Sequence, residues 1–366
     1  MEEVIKRHNH FVPEVYLNNW AKEKKIFTYK LLVSHEKVPL WKRSSVKNTA
    51  TIDNLYVRSF RGKEIDDFEN VFMREYETPA KEPFMRACSD KRLSQDDWHI
   101  LINFVAAQIV RTPAFFCSMK NRMVGSVPYI LDSIGHKLAT VTPEQIKQHH
   151  YEKTVADELI PATISLTGVK PDDEHQYVEI KTLIGKSYWL YSIEYLLSNT
   201  ASILLKHKWS VISAADGVRW PTSDDPVICL NYYGPNNFDF GGGWGTLGSV
   251  IIMPINPTKA LYTKVGEEHP SSMVFTREQS ILLKRIIVEH AFLNVYTSEQ
   301  DDEIPTIRSR TVDPIEYERI KKEFDEWYDK YQEEEVPLLD NHLSKSDHAP
   351  ENNHMEESSQ NVKSSF

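Results

Sequence analysis

The side chains best suited to chemistry are spread over three distant parts of the chain. The first part contributes the imidazole of His10. The middle part contributes the carboxylate of Glu69, the amide of Gln108 and the guanidinium of Arg111. A later bend contributes the hydroxyl of Ser223 and the carboxylates of Asp224 and Asp225. Imidazole and carboxylate groups bind divalent metals that activate water, and a guanidinium holds a phosphate through paired hydrogen bonds. If the three groups meet, this set favours metal-dependent hydrolysis of a phosphoester, as in a nuclease.

These residue types suggest separate roles. The candidate catalytic groups are His10, Glu69, Asp224 and Asp225. The candidates for binding a phosphate-bearing substrate or nucleic acid are Gln108, Arg111 and Ser223. His10 and Asp224 are the candidate ligands of a divalent metal, since an imidazole and a carboxylate suit such an ion. Ser223 is less attractive as a nucleophile because it lacks the Gly-x-Ser-x-Gly turn.

The same residues also fit a non-catalytic interpretation. In a buried network Arg111 pairs with Asp224 or Asp225, the His10 imidazole bonds a carbonyl, and the Gln108 amide ties the bend to a helix. Glu69 is then either the partner of Arg111 or a solvated acid. In this interpretation the chain is a ligand- or protein-sensing module, so the sequence leaves open whether it is an enzyme.

One helix must position the middle group. Ser94 can cap a helix and Pro113 ends it, and apolar residues between them leave no continuous polar face. This pattern is typical of a buried helix. Gln108 and Arg111 lie three residues apart near its end, so they project from one side. We therefore expect the early imidazole and the later bend to meet at the end of this helix.

The remaining patterns predict an α+β fold. Strand-like runs occur early, at 25–33, 37–42 and 49–58, and return within 208–263, so we expect one antiparallel sheet built from both regions. A helical period dominates 62–207, which predicts a large inserted helical block. Because the early strands cannot be buried alone, residues 1–335 should form one integrated domain. Residues 336–366 are polar and acidic, which predicts a disordered tail.

Composition restricts the expected partners and location. The net charge of −10 disfavours broad non-specific binding to nucleic acid or to acidic membranes. The 3 cysteines lie far apart without zinc spacing, which is typical of buried thiols in a reducing cytosol. No apolar signal segment begins the sequence, and no apolar run of about 18 residues is present. We expect a cytoplasmic protein without membrane contact, and the oligomeric state is not predicted.

Several ordered motifs resemble one widespread, mostly bacterial domain-of-unknown-function family. The family pattern His-aromatic-Val-Pro-x-x-Tyr-Leu appears at 10–17, Gln-x-x-Arg-Thr-Pro at 108–113, and Thr-Ser-Asp-Asn-Pro-Val at 222–227, followed by a Met-Pro-Leu-like segment at 253–255 and a late Asn294. Asp225 stands where the family usually has asparagine, and Ile255 where it has leucine. The resemblance spans roughly residues 8–297 and implies no particular reaction. A family of this kind would also suit an effector of antiviral (anti-phage) defence.

Overall fold

Helices and strands alternate along the chain in a computed structural model that describes residues 5–60, 62–140, 162–167, 177–182 and 185–339. The helices are α1 Glu14–Leu17, α2 Asp67–Val71, α3 Thr78–Cys88, α4 Gln95–Val110, α5 Pro113–Thr140, α6 Lys186–Leu204, α7 Arg277–His290, α8 Ile304–Ile307, α9 Pro314–Asp325 and α10 Trp327–Lys330. The strands are β1 His8–His10, β2 Lys25–Lys30, β3 Leu32–Val33, β4 Trp41–Ser45, β5 Thr51–Asp53, β6 Arg58–Phe60, β7 Lys63–Ile65, β8 Ala162–Thr167, β9 Tyr177–Thr182, β10 Ser210–Ser213, β11 Thr222–Ser223, β12 Ile228–Gly234, β13 Asn237–Asp239, β14 Ser249–Asn256, β15 Lys259–Lys264, β16 Ser272–Val274, β17 Asn294–Thr297 and β18 Thr311–Val312. The α+β class expected from the sequence is confirmed.

The strands divide between two main sheets instead of forming the single expected sheet. A 6-stranded sheet has the order β13-β12-β14-β15-β10-β16, in which only β10 and β16 are parallel. A 4-stranded antiparallel sheet has the order β11-β17-β2-β4. Within 208–263 only β11 therefore joins the early strands. Alternation in the sequence identifies a strand but not its hydrogen-bonded neighbour, and here β17 fills the place beside β2.

Helix α4 has the ends and the burial that the sequence predicts. The Ser94 hydroxyl accepts the Asp97 N–H at 3.1 Å, and the Asp97 carboxylate accepts the Ser94 N–H at 2.9 Å. This reciprocal capping box satisfies two N–H groups at the start of the helix. Phe104 packs edge-on against Phe84 of α3 at 4.9 Å, and Trp189 of α6 donates to the Val110 carbonyl at 3.2 Å. The helix is thus anchored at both ends within the main hydrophobic core.

The predicted helical block contains strands as well as helices. Strand β7, which pairs with β6 just before the block, and the antiparallel hairpin β8–β9 lie within it. The sequence predicts helix within this block through 155–166, and this prediction is wrong at residues 162–166, which lie in β8; residues 155–161 fall outside the described residues. A helix that ends at Pro79 is predicted by the helical spacing of Ile65, Phe68, Val71, Phe72 and Tyr76. In the structure α2 instead continues through a wide π-helical turn, Phe72–Glu77, into α3. Pro79 is tolerated because it occupies the first turn of α3.

The segment after α10 is ordered beyond the expected domain boundary. Residues 331–339 remain helical, and the Leu339 side chain is 5% exposed. The Glu335 carboxylate accepts the backbone N–H groups of Lys186 and Ser187 at 2.8 and 2.7 Å. The predicted tail at 336–366 is therefore helical over its first four residues, because Leu339 is buried and the preceding Glu335 carboxylate bonds the start of α6. Residues 340–366 lie outside the described residues.

Over the described ranges, no single helix has the length and apolarity needed to cross a membrane. The segments Gln95–Val110 and Pro113–Ser126 reach that length and apolarity only when taken together, and they are bent by 60° relative to each other.

Candidate functional site

The three groups expected to meet do come together beside the end of α4. The Tyr16 hydroxyl donates to the Pro254 carbonyl at 2.6 Å and lies 2.7 Å from the Thr222 hydroxyl. The Thr112 hydroxyl donates to the Asp225 carboxylate at 3.3 Å. These contacts join the early segment, the end of α4 and the later bend. The residues of the ordered sequence motifs therefore form one connected buried network.

Arg111 is a fully engaged structural residue at the C-cap of α4. Its side chain is 1% exposed, and its Nη1 donates to the Glu77 carboxylate at 2.8 Å. Its Nη2 donates to the His10 carbonyl, and its Nε to the Tyr56 hydroxyl at 3.4 Å. The guanidinium also lies 4.3 Å from the centre of the Phe72 ring. The expected pairing with Asp224 or Asp225 is wrong, and no face of Arg111 is left for a phosphate.

Glu69 belongs to the same cluster without pairing directly with Arg111. Burial raises the pKa of Glu69 to about 7, although the Arg111 charge lowers it. Its Oε2 atom is buried and has no hydrogen-bond partner among the described residues. Glu69 is thus neither the ion-pair partner of Arg111 nor a solvated acid. An acid with a pKa near neutrality suits proton transfer, but its carboxylate faces the Arg111 cluster and not an open cleft.

Gln108 and His10 connect α4 to the early segment. Gln108 Nε2 donates to the Phe11 carbonyl at 2.9 Å, so this amide ties α4 to the first motif and not to the bend. The His10 imidazole interacts with the Val46 carbonyl, and its Nε2 lies 3.8 Å from the Glu14 carboxylate. Burial lowers the pKa of His10, which favours the neutral ring. The expected bond from this imidazole to a carbonyl fits this arrangement.

Asp224 clamps the later bend to the start of β17. Its carboxylate accepts the N–H groups of Phe292 and Leu293 at 2.9 and 2.8 Å, and the Asn294 amide at 3.1 Å. The Asp224 N–H in turn donates to the Asn294 carbonyl at 3.1 Å. Burial raises the pKa of Asp224 to about 7, against the opposing effect of these donors. Its oxygens are therefore occupied by the protein's own donors.

Asp225 and Ser223 have local partners in the same bend. The Ser223 hydroxyl accepts the Asp225 N–H at 3.2 Å, and Ser223 is 1% exposed. His290 of α7 lies beside Asp225, with Nδ1 3.1 Å from the Asp225 carbonyl and Nε2 3.8 Å from its carboxylate. Burial raises the pKa of Asp225, and the neighbouring His290 lowers it. This aspartate and histidine pair was not foreseen from the sequence.

A cleft of about 220 Å³ opens where the motifs meet. Each main motif contributes one or more residues to its wall: Phe11, Pro113, Asp224 and Asn294. The lining is mostly apolar and is completed by α9 through Tyr317, Ile320 and Phe324. Of the seven candidate residues, only Asp224 lines this cleft.

Lys30 is the cation with the fewest partners in this cleft. It lies at the end of β2, opposite Asn294 in the register of β17. Burial and the nearby Lys42 charge lower the pKa of Lys30, and no carboxylate among the described residues forms an ion pair with it. The second cation of the cleft, Lys321, lies 4.0 Å from Asp325 on α9. Lys30 is therefore the group best placed to meet an anion.

The metal site expected from the sequence has no matching group of ligands over the ranges that the structure describes. Within them, no three or more His, Cys, Asp or Glu side chains are arranged to hold a metal ion. His10 faces Glu14, while the Asp224 oxygens accept backbone and amide N–H groups. The divalent metal stays a prediction.

Sequence reasoning missed three residues of this region. Glu77 pairs with Arg111, His290 lies beside Asp225, and Lys30 lines the cleft. The burial of Arg111 signalled that an acid must face it. Glu77 and not Glu69 pairs with Arg111 because the π-helical turn Phe72–Glu77 changes the direction in which the side chains project. No local pattern identified Lys30 or His290.

Comparison with known proteins identifies a family for this chain. The family model described as "Protein of unknown function (DUF4238)" matches residues 8–301, which include every motif residue of the network. Searches of curated proteins and of solved structures gave no match. The family model covers most of the chain, and the protein therefore belongs to the DUF4238 family.

Proposed function

We propose that the chain is a ligand-binding module in which the motif residues build the wall of a receptor cleft. One observation carries this proposal: four separate motifs contribute side chains to one cavity, while Gln108, Arg111 and Asp224 of these motifs form internal hydrogen bonds. A cleft with a mostly apolar wall and a few polar groups is typical of small-molecule sites. The buried network supports this role because it fixes the shape of the cleft.

The lining favours a small ligand with an apolar body and one anionic group. Phe11, Ile52 and Phe292 offer apolar contacts, and Lys30 offers an ammonium group without an internal acid partner among the described residues. A carboxylate or a phosphate would form a charge-assisted hydrogen bond with it. The cavity of about 220 Å³ has room for one ring with a short acidic substituent.

Isothermal titration with three matched phenyl compounds tests this proposal. Phenylacetate and phenyl phosphate carry the two anionic groups, and 2-phenylethanol is the neutral control. We expect at least one anion to bind about tenfold more tightly than the alcohol, since a hydrogen bond to a charged group contributes about 1.5–3 kcal/mol. The better anion also identifies the acidic group that the cleft prefers. Equal affinities for all three compounds, or no binding, would contradict the proposal.

Lys30→Met provides the corresponding variant because it keeps the apolar stem of the side chain and removes its charge. We expect the preference for anions to disappear in Lys30→Met. Lys25→Met is the matched control, since Lys25 is an exposed lysine of the same strand outside the cleft. If Lys25→Met loses the preference as completely as Lys30→Met, the anion binds elsewhere.

The metal-dependent phosphoester hydrolase, nuclease-like and acting in antiviral defence, stays the second candidate. Asp225 beside His290 is the observation that favours it, because a carboxylate can orient an imidazole for proton transfer. Turnover of bis-p-nitrophenyl phosphate with Mg²⁺ or Mn²⁺, abolished by a chelator and by His290→Gln, would support this function. Folded protein without turnover in that assay, together with anion binding, would favour the ligand-binding module.

A further inference from the structure

Two lysines lie side by side on one face of the 4-stranded sheet, and one of them lines the receptor cleft. Lys42 of β4 pairs in register with Thr28 of β2, and Lys30 follows Thr28 by two residues. Residues two apart in a strand share a face of the sheet, as do residues directly opposite each other on neighbouring strands. Lys30 and Lys42 are therefore diagonal neighbours, with Cα atoms about 7–8 Å apart.

No acid within the described ranges neutralises this pair of lysines. Neither ammonium group forms an ion pair with a carboxylate there. Burial and the Lys42 charge lower the pKa of Lys30, which is the effect of an uncompensated neighbouring cation. The acids that line the cleft have other partners: the Asp224 oxygens accept three N–H donors, and Asp325 lies 4.0 Å from Lys321.

Two like charges on neighbouring strands destabilise a sheet unless an opposite charge lies beside them. A singly charged anion would neutralise one ammonium group and leave the other unpaired. A phosphate monoester has a second pKa of about 6, so at neutral pH it carries two negative charges on one compact group. Of the acidic groups considered for the cleft, the phosphate monoester therefore matches the pair of lysines and the carboxylate does not.

We propose that the ligand of the receptor cleft is a phosphate monoester whose dianionic group lies between Lys30 and Lys42. This inference rests on the proposed ligand-binding function and names the acidic group of its ligand. Lys30 supplies the half-buried cation inside the cleft, and Lys42 supplies the second cation from the rim. β4 is the outer strand of its sheet, so the exposed Lys42 side chain can turn toward a group bound at Lys30.

Isothermal titration at about pH 8 with two phenyl esters tests this inference. Phenyl phosphate is a dianion at this pH, and methyl phenyl phosphate is a monoanion of similar shape. We expect phenyl phosphate to bind about tenfold more tightly, because only the dianion neutralises both lysines. Equal affinities of the two esters, both above that of 2-phenylethanol, would overturn this inference alone. Equal affinities of all three compounds, or no binding, would overturn the receptor cleft as well.

Lys42→Met removes the second charge and keeps an apolar side chain on the exposed strand. In this variant we expect the two esters to bind within about twofold of each other. Arg43→Met is the matched control, because Arg43 is the next residue of β4, projects from the opposite face and pairs with the exposed Glu23. Lys42→Arg keeps the charge and should keep the preference for the dianion. A preference that persists in Lys42→Met, or that is lost instead in Lys321→Met, would overturn the role of Lys42.

A measurement on the unmodified protein keeps the test independent of any variant. Two neighbouring ammonium groups stabilise the dianion, so the second pKa of bound phenyl phosphate should fall below its ordinary value of about 6. Phosphorus NMR of the bound ester as a function of pH measures this shift. A pKa that is unchanged or raised on binding would overturn the placement of the phosphate between two cations.

Discussion

Buried charges in this protein are held by specific partners. Arg111 has an ion pair with Glu77, a backbone carbonyl, a tyrosine hydroxyl and the face of Phe72 around one guanidinium. Placing a charge in the interior is unfavourable unless such partners surround it. Glu69 lies in the same cluster with one oxygen unpaired. In this cluster the Arg111 guanidinium is therefore surrounded by partners, whereas the Glu69 carboxyl group has one oxygen without a partner among the described residues.

Removing the Arg111 charge should destabilise the fold strongly. In Arg111→Met the Glu77 carboxylate and the His10 carbonyl lose a buried donor, so we expect the free energy of unfolding to fall by about 3–5 kcal/mol. Urea denaturation measures this change. Arg74→Met is the control, because Arg74 pairs with Glu75 on the surface and its side chain is 72% exposed. A small loss in Arg111→Met, similar to that in Arg74→Met, would show that the buried ion pair is not structural.

Glu69 should make stability depend on pH. Its pKa rises from 4.5 to about 7 on burial, so the folded state holds a proton that the unfolded state releases between these values. The contribution of Glu69 to the free energy of unfolding is therefore fully present below pH 4.5 and is lost as the pH rises through about 7. In Glu69→Gln we expect a gain of about 1–3 kcal/mol over the wild type at pH 8 that is absent near pH 4. Urea titrations of both proteins at the two pH values measure this difference, and a pH-independent difference would be inconsistent with it.

Single side chains join the secondary-structure elements around the cleft. Asp224 connects the end of β11 to the turn before β17, where two backbone N–H groups point at its oxygens. Tyr16 connects α1 to the same bend and to the Pro254 carbonyl of β14. The cleft therefore depends on contacts between elements that are distant in the sequence.

The Asp224 clamp can be tested against its neighbour in the same bend. In Asp224→Asn an amide NH₂ replaces one accepting oxygen and faces a backbone donor, so we expect a loss of about 1–3 kcal/mol. In Asp225→Asn we expect a smaller change, because the Asp225 side chain is 20% exposed and its contacts with Thr112 and His290 are long, at 3.3 and 3.8 Å. Denaturation midpoints of both variants give the comparison, and a reversed order would contradict the clamp.

At the scale of the whole molecule, the last described segment ties remote regions together. The Glu335 carboxylate caps the start of α6, and the Tyr331 hydroxyl accepts the Ser59 N–H at 2.7 Å. A Cβ atom at Gly185 would lie 2.2 Å from the Glu335 Oε1 atom, so a side chain there would displace the capping carboxylate. α9 of the same region completes the cleft wall. The C-terminal helices therefore belong to the same structural unit as the cleft.

Loss of the Glu335 carboxylate should weaken this attachment. In Glu335→Ala two N–H groups at the start of α6 lose their acceptor, and we expect about 1–2 kcal/mol less stability. Glu333→Ala is the control, because Glu333 is exposed in the same turn. Thermal unfolding followed by circular dichroism compares the two. Equal midpoints would show that the cap contributes nothing to stability.

Local features of the sequence determined the α+β class, the ends and burial of α4, and the family. The ends of α4 depend on local signals within about 20 residues: a capping serine, an apolar run and a terminating proline. The sequence alone therefore predicts them. Tertiary structure decided that Arg111 pairs with Glu77, that the strands form two sheets, and that Lys30 enters the cleft. These outcomes depend on how distant backbone segments approach each other. Residue spacing does not predict which segments approach each other, because the sequence contains many possible partners of the right charge or strand pattern.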